Sequence, residues 1–295
     1  MRLTPAAPVA LALVIGLVPH ADAAPKKGAG KPTPPACGAK VLPLVLGNSW
    51  TYSNVAAPDA GDPQITRIAP TPPKTFTITV TKVEAKGTDT LVTLEEKYQY
   101  DGKDTKKPTV IEKTVTSTIT CNAKTKFDIS PESFLFAGEP GGWYGMKFDT
   151  LTRKKETTWK LAKGTIGEAD WIEELEGHFV RDATPGTEVK TSPGKVTLER
   201  RFMPQEPETI ITKLGTYKAE KLLLTTTGRI KLDQPIAPEG KSCRIQKEDG
   251  TFQPVDVCEM PGGWTNQLWL VDNVGLVQAL NKYSHMYQLT ASTLK

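Results

Sequence analysis

Two histidines and the Ser-x-x-Lys motif at residues 192–195 are candidate groups with which this chain could carry out nucleophilic catalysis. Ser192 and Lys195 have the spacing of a nucleophile and its base, but that motif acts where a helix begins, and the Pro-Gly between them favours a turn. His178 and His285 are the candidate bases outside the first 23 residues, because imidazole titrates near neutral pH. His285 alternates with two tyrosines, which is typical of a core histidine. We therefore expect no catalytic residue.

A short acidic segment offers the alternative of paired carboxylates. Its members are Glu168, Asp170, Glu173, Glu174 and Glu176. A glycosidase needs two such groups, so a hydrolase centred on Glu173 and Glu174 is the most distant of three functional hypotheses. Clustered acids are more often a solvated face, and this cluster lacks the order of a calcium loop. We expect no metal site and no cofactor.

Four cysteines predict two disulfides, because their number is even and the chain has the features of an exported protein given below. A metal site is disfavoured by the lack of a CxxC pair and of a histidine beside any cysteine. Of three pairings we favour Cys243–Cys258, since a hairpin with Asp249–Phe252 as its four-residue loop would place these two cysteines directly opposite. Cys37–Cys121 then follows by elimination.

Aromatic residues are the better candidates for a binding site. Trp50, Tyr52, Trp159 and Trp269 are spread over several predicted strands, so they could meet on one concave face. A curved sheet lined by such rings suits an apolar ligand. The competing interpretation is that the rings fill the core, where one Trp or Phe buries roughly 150–250 Å².

These residues lie on predicted β-strands. Thr75–Thr81 and Thr114–Cys121 alternate apolar and hydroxylated side chains with a period of two, which indicates half-buried antiparallel strands. Tyr283, His285, Tyr287 and Leu289 are expected on one face of the last strand. The sequence shows no sustained helical period. It predicts an all-β protein with one large curved antiparallel sheet or an incomplete barrel.

An internal duplication is a further hypothesis about the fold. Two Pro-Gly-Gly-Trp tetrads, ending at Trp143 and Trp264, follow similar motifs in the same order in both halves of the chain. The alternative is that these are two similar turns closed by a packed Trp.

The N-terminus predicts export. Residues 1–23 combine a positive start at Arg2, an apolar run of ten residues and a small-x-small cleavage site ending at Ala23, which is the pattern of a signal peptide. That run is too short to span a bilayer, so we expect no transmembrane segment. Residues 24–36, rich in Pro, Lys and Ala, are a predicted linker. Residues 37–295 are a predicted single all-β domain in the periplasm or outside the cell.

The charge of the chain disfavours nucleic acid as a partner. The formal net charge is +4, but three lysines of the predicted linker contribute most of it. The folded body is nearly neutral, whereas a nucleic-acid binder needs a basic stripe against phosphates.

Three motifs resemble those of a group of uncharacterised exported bacterial proteins. Leu42–Tyr52 resembles their opening GNxWxY segment, Leu214–Ala219 their central GT[FY]xA segment, and Trp269–Gln278 their closing GVG[LV]V strand pair. The resemblance covers about residues 42–290. It implies a curved antiparallel sheet similar to that of periplasmic lipoprotein-carrier proteins, with no assigned activity and no catalytic residues. The closing motif departs from the family at Val271–Asn273.

Two functional hypotheses are favoured over the hydrolase. The first is a non-enzymatic exported protein of the cell envelope that binds a lipid, another apolar ligand or an envelope protein on the concave sheet. The second is a structural or surface-interaction β-protein with a filled core and no ligand.

Overall fold

The computed structural model describes residues 40–57, 71–102, 109–122, 127–129, 133–137, 146–156, 170–181, 193–233, 244–246, 249, 251–254, 257–259 and 264–295. The predicted signal peptide and linker lie outside these residues. So do the first Pro-Gly-Gly-Trp tetrad, the Pro-Gly-Gly of the second, and Trp159. The duplication and the domain boundaries therefore stay predictions.

The described residues are mostly extended because alternating threonine and apolar side chains suit a half-buried strand. The strands are β1 (Ser49–Val55), β2 (Thr75–Lys86), β3 (Asp89–Asp101), β4 (Val110–Cys121), β5 (Phe127–Ile129), β6 (Met146–Glu156), β7 (Trp171–Arg181), β8 (Gly194–Thr212), β9 (Gly215–Leu232), β10 (Arg244–Gln246), β11 (Phe252–Pro254), β12 (Val257–Glu259), β13 (Trp264–Val271), β14 (Gly275–Leu280) and β15 (Met286–Thr293). One short helix, α1 (Phe134–Ala137), accompanies them.

One antiparallel sheet contains nearly all of these strands. Its order is β5-β4-β3-β2-β1-β15-β14-β13-β9-β8-β7-β6, with β12 added against β9, while β10 and β11 form a separate pair. The sheet is open within the described residues, because its path starts at β5 and ends at β6. The predicted fold class, all-β with one large antiparallel sheet that does not close into a barrel, is confirmed.

The alternation predicted for the threonine-rich strands is present. In β2, Phe76, Ile78 and Val80 are buried, whereas the threonines between them are partly exposed. In β4, Ile119 and Cys121 are fully buried. Because a strand turns successive side chains to opposite faces, the period of two in the sequence identified the core face correctly.

The last strand begins later than the sequence suggested. Tyr283 and His285 precede β15 and lie in a turn, in which Ser284 has a positive φ of 60°. Asn281 fixes this turn, because its Oδ1 accepts hydrogen bonds from the backbone N–H groups of Tyr283 and His285, each at 3.0 Å. Side-chain capping of this kind competes with strand pairing, so the prediction that all four alternating residues share one strand was wrong for the first two.

The hairpin proposed for Cys243 and Cys258 has a different register. β10 pairs with β11 so that Arg244 lies opposite Pro254, and Cys258 instead pairs with Ile230 of β9 through β12. The Asp249 side chain accepts hydrogen bonds from the backbone N–H of Thr251 at 2.8 Å and from its hydroxyl at 2.5 Å. Phe252 lies in strand β11 opposite Gln246 of β10, so the predicted loop of Asp249–Phe252 was wrong.

Both disulfide pairings stay predictions. Cys37 and Cys243 lie outside the described residues. Cys121 is fully buried at the end of β4, as the alternation predicted.

The core lies against β1–β4 and β13–β15 and is covered by three segments. Val41, Leu42 and Leu44 precede β1 and are fully buried. Phe134 and Leu135 of α1 join the same cluster, as do Ile210 and Ala219 near the far end of the long β8–β9 hairpin. All three segments therefore contribute buried apolar side chains to the described core.

Candidate functional site

Two of the four predicted ligand-binding residues lie in the core of the sheet. Trp50 and Tyr52 of β1 are both 0% exposed. The Trp50 indole Nε1 donates a hydrogen bond to the backbone oxygen of Val274 at 2.6 Å, and the Tyr52 hydroxyl donates to that of Leu276 at 2.8 Å. The opening and closing motifs of the chain are thus joined by side-chain hydrogen bonds. Packing accounts for both residues, and their ligand-binding role stays a prediction.

The rest of the opening motif has structural contacts of the same kind. Asn48 is fully buried, its Nδ2 donates to the oxygen of Pro43 at 2.7 Å, and its Oδ1 accepts from the backbone N–H of Lys295 at 2.9 Å. Gly275 has a φ of +105°, and a Cβ there would lie 2.9 Å from Nε1 of Trp50. The glycine of the closing motif therefore makes room for the tryptophan of the opening motif.

A cluster of five rings, which we call the aromatic cluster, lies beside Tyr52. Its members are Tyr52, Phe76, Tyr98, Phe134 and Tyr287. Phe76 is central, because its ring centroid lies 4.6–5.4 Å from the centroids of the four others. Each of the five rings is 0–1% exposed. At these distances the rings are in direct contact, so they pack against one another as a core does.

A buried carboxyl group lies against the aromatic cluster. Glu96 of β3 is 0% exposed and accepts hydrogen bonds from the Tyr98 hydroxyl, the Ser117 hydroxyl at 3.0 Å and the backbone N–H of Phe134 at 3.1 Å. Burial raises the pKa of Glu96 to about 7, although these hydrogen bonds oppose the rise. Burial and the nearby Glu96 together raise the pKa of the Tyr52 hydroxyl.

Glu96 has the near-neutral pKa of a general acid or base, but not the access that such a group needs. A general base must reach the substrate proton directly or through one water. Its three donors named above, Tyr98, Ser117 and Phe134, are all buried. Glu96 was not among the predicted site residues, although it occupies an inward position of the β3 alternation after Val92 and Leu94.

Trp269 is the third predicted ligand-binding residue and has polar neighbours. It is 4% exposed, and its Nε1 donates to Oε2 of Glu208 at 2.8 Å. Lys221 donates to the other oxygen of Glu208 at 2.5 Å and lies 5.3 Å from the centre of the Trp269 ring. The hydrogen bond from Lys221 lowers the pKa of Glu208. The Trp269 ring lies between a carboxylate and a cation, and such polar surroundings do not suit an acyl chain. The ligand-binding role of Trp269 stays a prediction.

Three residues of the acidic segment pair with cations of neighbouring strands. Glu173 pairs with Arg200 at 3.1 Å, and both side chains are largely buried, at 12% and 4% exposure. Asp170 pairs with Arg201 at 2.6 Å, and Glu176 with Lys154 at 2.9 Å. Glu168 lies outside the described residues. Three of the four described acids, Asp170, Glu173 and Glu176, thus sit in ion pairs.

His178 lies between two carboxylates. Its Nδ1 is 2.9 Å from Oδ2 of Asp149, and its Nε2 is 2.6 Å from Oδ2 of Asp233. Asp149 occupies a bulge in β6 that lets its side chain reach the ring, and Asp233 follows β9. A neutral imidazole has only one N–H, so this geometry favours the imidazolium form. The bonds to Asp233 and Asp149 raise the pKa of His178.

We expect the two histidines to titrate on opposite sides of the ordinary value of 6.5. Hydrogen bonds to Asp233 and Asp149 raise the pKa of His178, whereas burial lowers that of His285. An NMR titration of the mature protein measures both midpoints. Asp233→Asn should lower the pKa of His178 and leave that of His285 unchanged. A midpoint for His178 below that for His285 would contradict the geometry.

Metal binding and membrane crossing by a helix find no support in the described part of the chain. No group of three or more His, Cys, Asp or Glu side chains among these residues is placed to hold a metal ion. Within the same residues, no helix is long and apolar enough to cross a bilayer.

The described residues thus define an all-β protein built on one open antiparallel sheet, with the predicted aromatic site largely inside its core. No protein-family model matches the chain, and no curated protein matches it significantly.

Two solved structures are similar to this chain. One is a "putative exported protein with YmcC-like fold" from Bacteroides fragilis, at 11% identity and a TM-score of 0.39, covering 84% of this chain and 96% of the other. The second is a "putative lipoprotein" from Parabacteroides distasonis, at 12% identity and a TM-score of 0.44, covering 86% and 99%. At these TM-scores neither likeness says what this chain does.

Proposed function

We propose that this chain is a non-enzymatic exported protein of the cell envelope that acts through its outer surface and holds no apolar ligand beneath the sheet. The observation that supports this proposal most directly is the aromatic cluster, whose five rings, that of Tyr52 among them, are buried and pack against one another. The signal-peptide pattern of residues 1–23 supports export.

The competing proposal is a carrier that binds a lipid or another apolar ligand through Trp50, Tyr52, Trp159 and Trp269. Such a site needs an apolar concave surface. Here the Glu96 carboxyl lies against the rings, and the described covering segments pack onto the same core. These contacts favour the filled core over the carrier.

The absence of enzymatic activity is also a proposal. One support is that Glu173, a candidate catalytic carboxylate, is paired with Arg200. A second is that Glu96 is buried and so has no access to a substrate. His178 has carboxylates on both ring nitrogens, so each nitrogen already has a partner.

Titration with a fluorescent fatty acid, dansyl-undecanoic acid, tests the filled core. We expect no saturable binding to the mature protein, because its rings occupy the space that an acyl chain would need. Phe134→Ala is the matched variant, since it removes a fully buried ring that contacts Tyr52, Phe76 and Tyr287. The resulting apolar cavity should bind benzene or the probe more strongly than the unmodified protein does. Saturable binding to the unmodified protein that Trp269→Ala abolishes would favour the carrier.

A further inference from the structure

The tip of the β8–β9 hairpin exposes apolar side chains. A two-residue loop, Lys213-Leu214, joins the strands, with Thr212 paired to Gly215. Ile211 is 72% exposed and Leu214 is 43% exposed. Turns usually contain Gly, Asn, Asp or Pro, so a leucine at the end of a tight hairpin is unusual. Ile211 is the most exposed large apolar residue in the described part of the chain.

The tip is held in one conformation by hydrogen bonds. The Thr212 hydroxyl accepts a hydrogen bond from the backbone N–H of Leu214 at 3.1 Å, and Gly215 has a φ of +146°. Gln288 of β15 donates to the backbone oxygen of Ile211 at 3.4 Å. The adjacent Ile210 is only 7% exposed and belongs to the core. The hairpin therefore buries one isoleucine and presents the next one to solvent.

The charged residues within the tip segment, residues 209–218, are of one sign. Between Thr209 and Lys218 the chain has two exposed lysines, Lys213 and Lys218, and no acidic residue. The nearest acids in the sequence, Glu208 and Glu220, lie outside this stretch, and Glu208 is paired with Lys221. The tip thus combines apolar and cationic side chains, which complements a surface that is anionic outside and apolar beneath.

We infer that this tip docks on the surface of an anionic phospholipid bilayer, an inference that rests on the proposal that the protein acts in the envelope through its outer surface. Ile211 and Leu214 enter the boundary between headgroups and acyl chains, and the two lysines contact the headgroup phosphates. A protein partner is disfavoured, because two side chains at a hairpin tip contribute far less than the ~1,200 Å² of a stable protein interface.

The chain contains a matched control for this inference. Val110 and Ile111, at the start of β4, are also adjacent and exposed, at 62% and 45%. Their charged neighbours are of both signs, since Asp101 lies opposite Val110 but pairs with Lys74, and Glu112 and then Lys113 follow Ile111. Similar apolar exposure beside charges of both signs should favour an anionic surface less than the cationic tip does.

Co-sedimentation of the mature protein with vesicles tests the inference. We expect binding to phosphatidylcholine vesicles that contain phosphatidylglycerol, and weaker binding to phosphatidylcholine alone. Ile211→Ser with Leu214→Ser should weaken binding about tenfold or more. Val110→Ser with Ile111→Ser should leave it unchanged. Lys213→Gln with Lys218→Gln should weaken binding and reduce its dependence on salt.

The outcomes separate this inference from the proposed function. Unchanged binding of the Ile211/Leu214 variant, or no binding of the unmodified protein at low salt, would overturn docking by the tip and leave the filled core intact. Phospholipid monomers extracted into the supernatant with the protein would instead overturn the filled core.

Discussion

Trp50→Ala is expected to lower the free energy of unfolding by about 3–5 kcal/mol, the usual loss for truncating a buried tryptophan. Trp50 is 0% exposed and hydrogen-bonds the backbone oxygen of Val274, more than two hundred residues away in the chain. The variant removes the ring and leaves a buried carbonyl without that donor, and both effects destabilise the fold. Urea denaturation with the disulfides kept oxidised measures the change.

Two further variants serve as controls for this measurement. Trp50→Phe keeps most of the ring but loses the hydrogen bond, so it should cost clearly less than the alanine variant. Val110→Ala, at an exposed site, should stay within about 0.5 kcal/mol of the unmodified protein. A loss below about 1 kcal/mol for Trp50→Ala, the size of an ordinary surface effect, would indicate that Trp50 lines an open site and not the core.

Glu96→Gln is expected to remove a pH dependence of stability on the order of 3 kcal/mol. Burial raises the pKa of Glu96 from 4.5 to about 7 in the fold, so the folded state binds the proton more tightly than the unfolded state does. The stabilising contribution of the proton is complete below pH 4.5 and is lost as pH rises through about 7. Glutamine stays neutral throughout and can still accept from Ser117 and Phe134.

Denaturation of both proteins between pH 4.5 and pH 8 tests this expectation. The difference in unfolding free energy should move in favour of Glu96→Gln as pH rises. Glu95→Gln is the control on the same strand, because Glu95 is partly exposed and pairs with Lys97. A constant difference between the Glu96→Gln variant and the unmodified protein would contradict a raised pKa at Glu96.

The fold class could be predicted because strand periodicity is a local property of the sequence. The threonine-rich strands showed their buried faces directly, and these faces are those the structure buries. β6 was missed because its run of charged residues, Arg153–Glu156, hides the alternation. The helix α1 was missed because four residues are too few for a helical period.

The polar clusters could not be predicted from the sequence. His178, Asp149 and Asp233 lie far apart in the chain and meet only because β6, β7, β8 and β9 are neighbours in the sheet. The burial of Trp50 and Tyr52 was one of two open interpretations, and only strand order decided that the first motif of the chain packs against the last. Residue types identified the candidate site residues, whereas the sheet topology determined which residues surround them.

Native mass spectrometry of the mature protein, purified gently from the envelope, tests the central claim most directly. The claim is that the five rings of the aromatic cluster pack directly on one another, with no ligand between them. The predicted result is a mass equal to the processed polypeptide alone. A stoichiometric additional mass that is released on unfolding and identified as a lipid would contradict it.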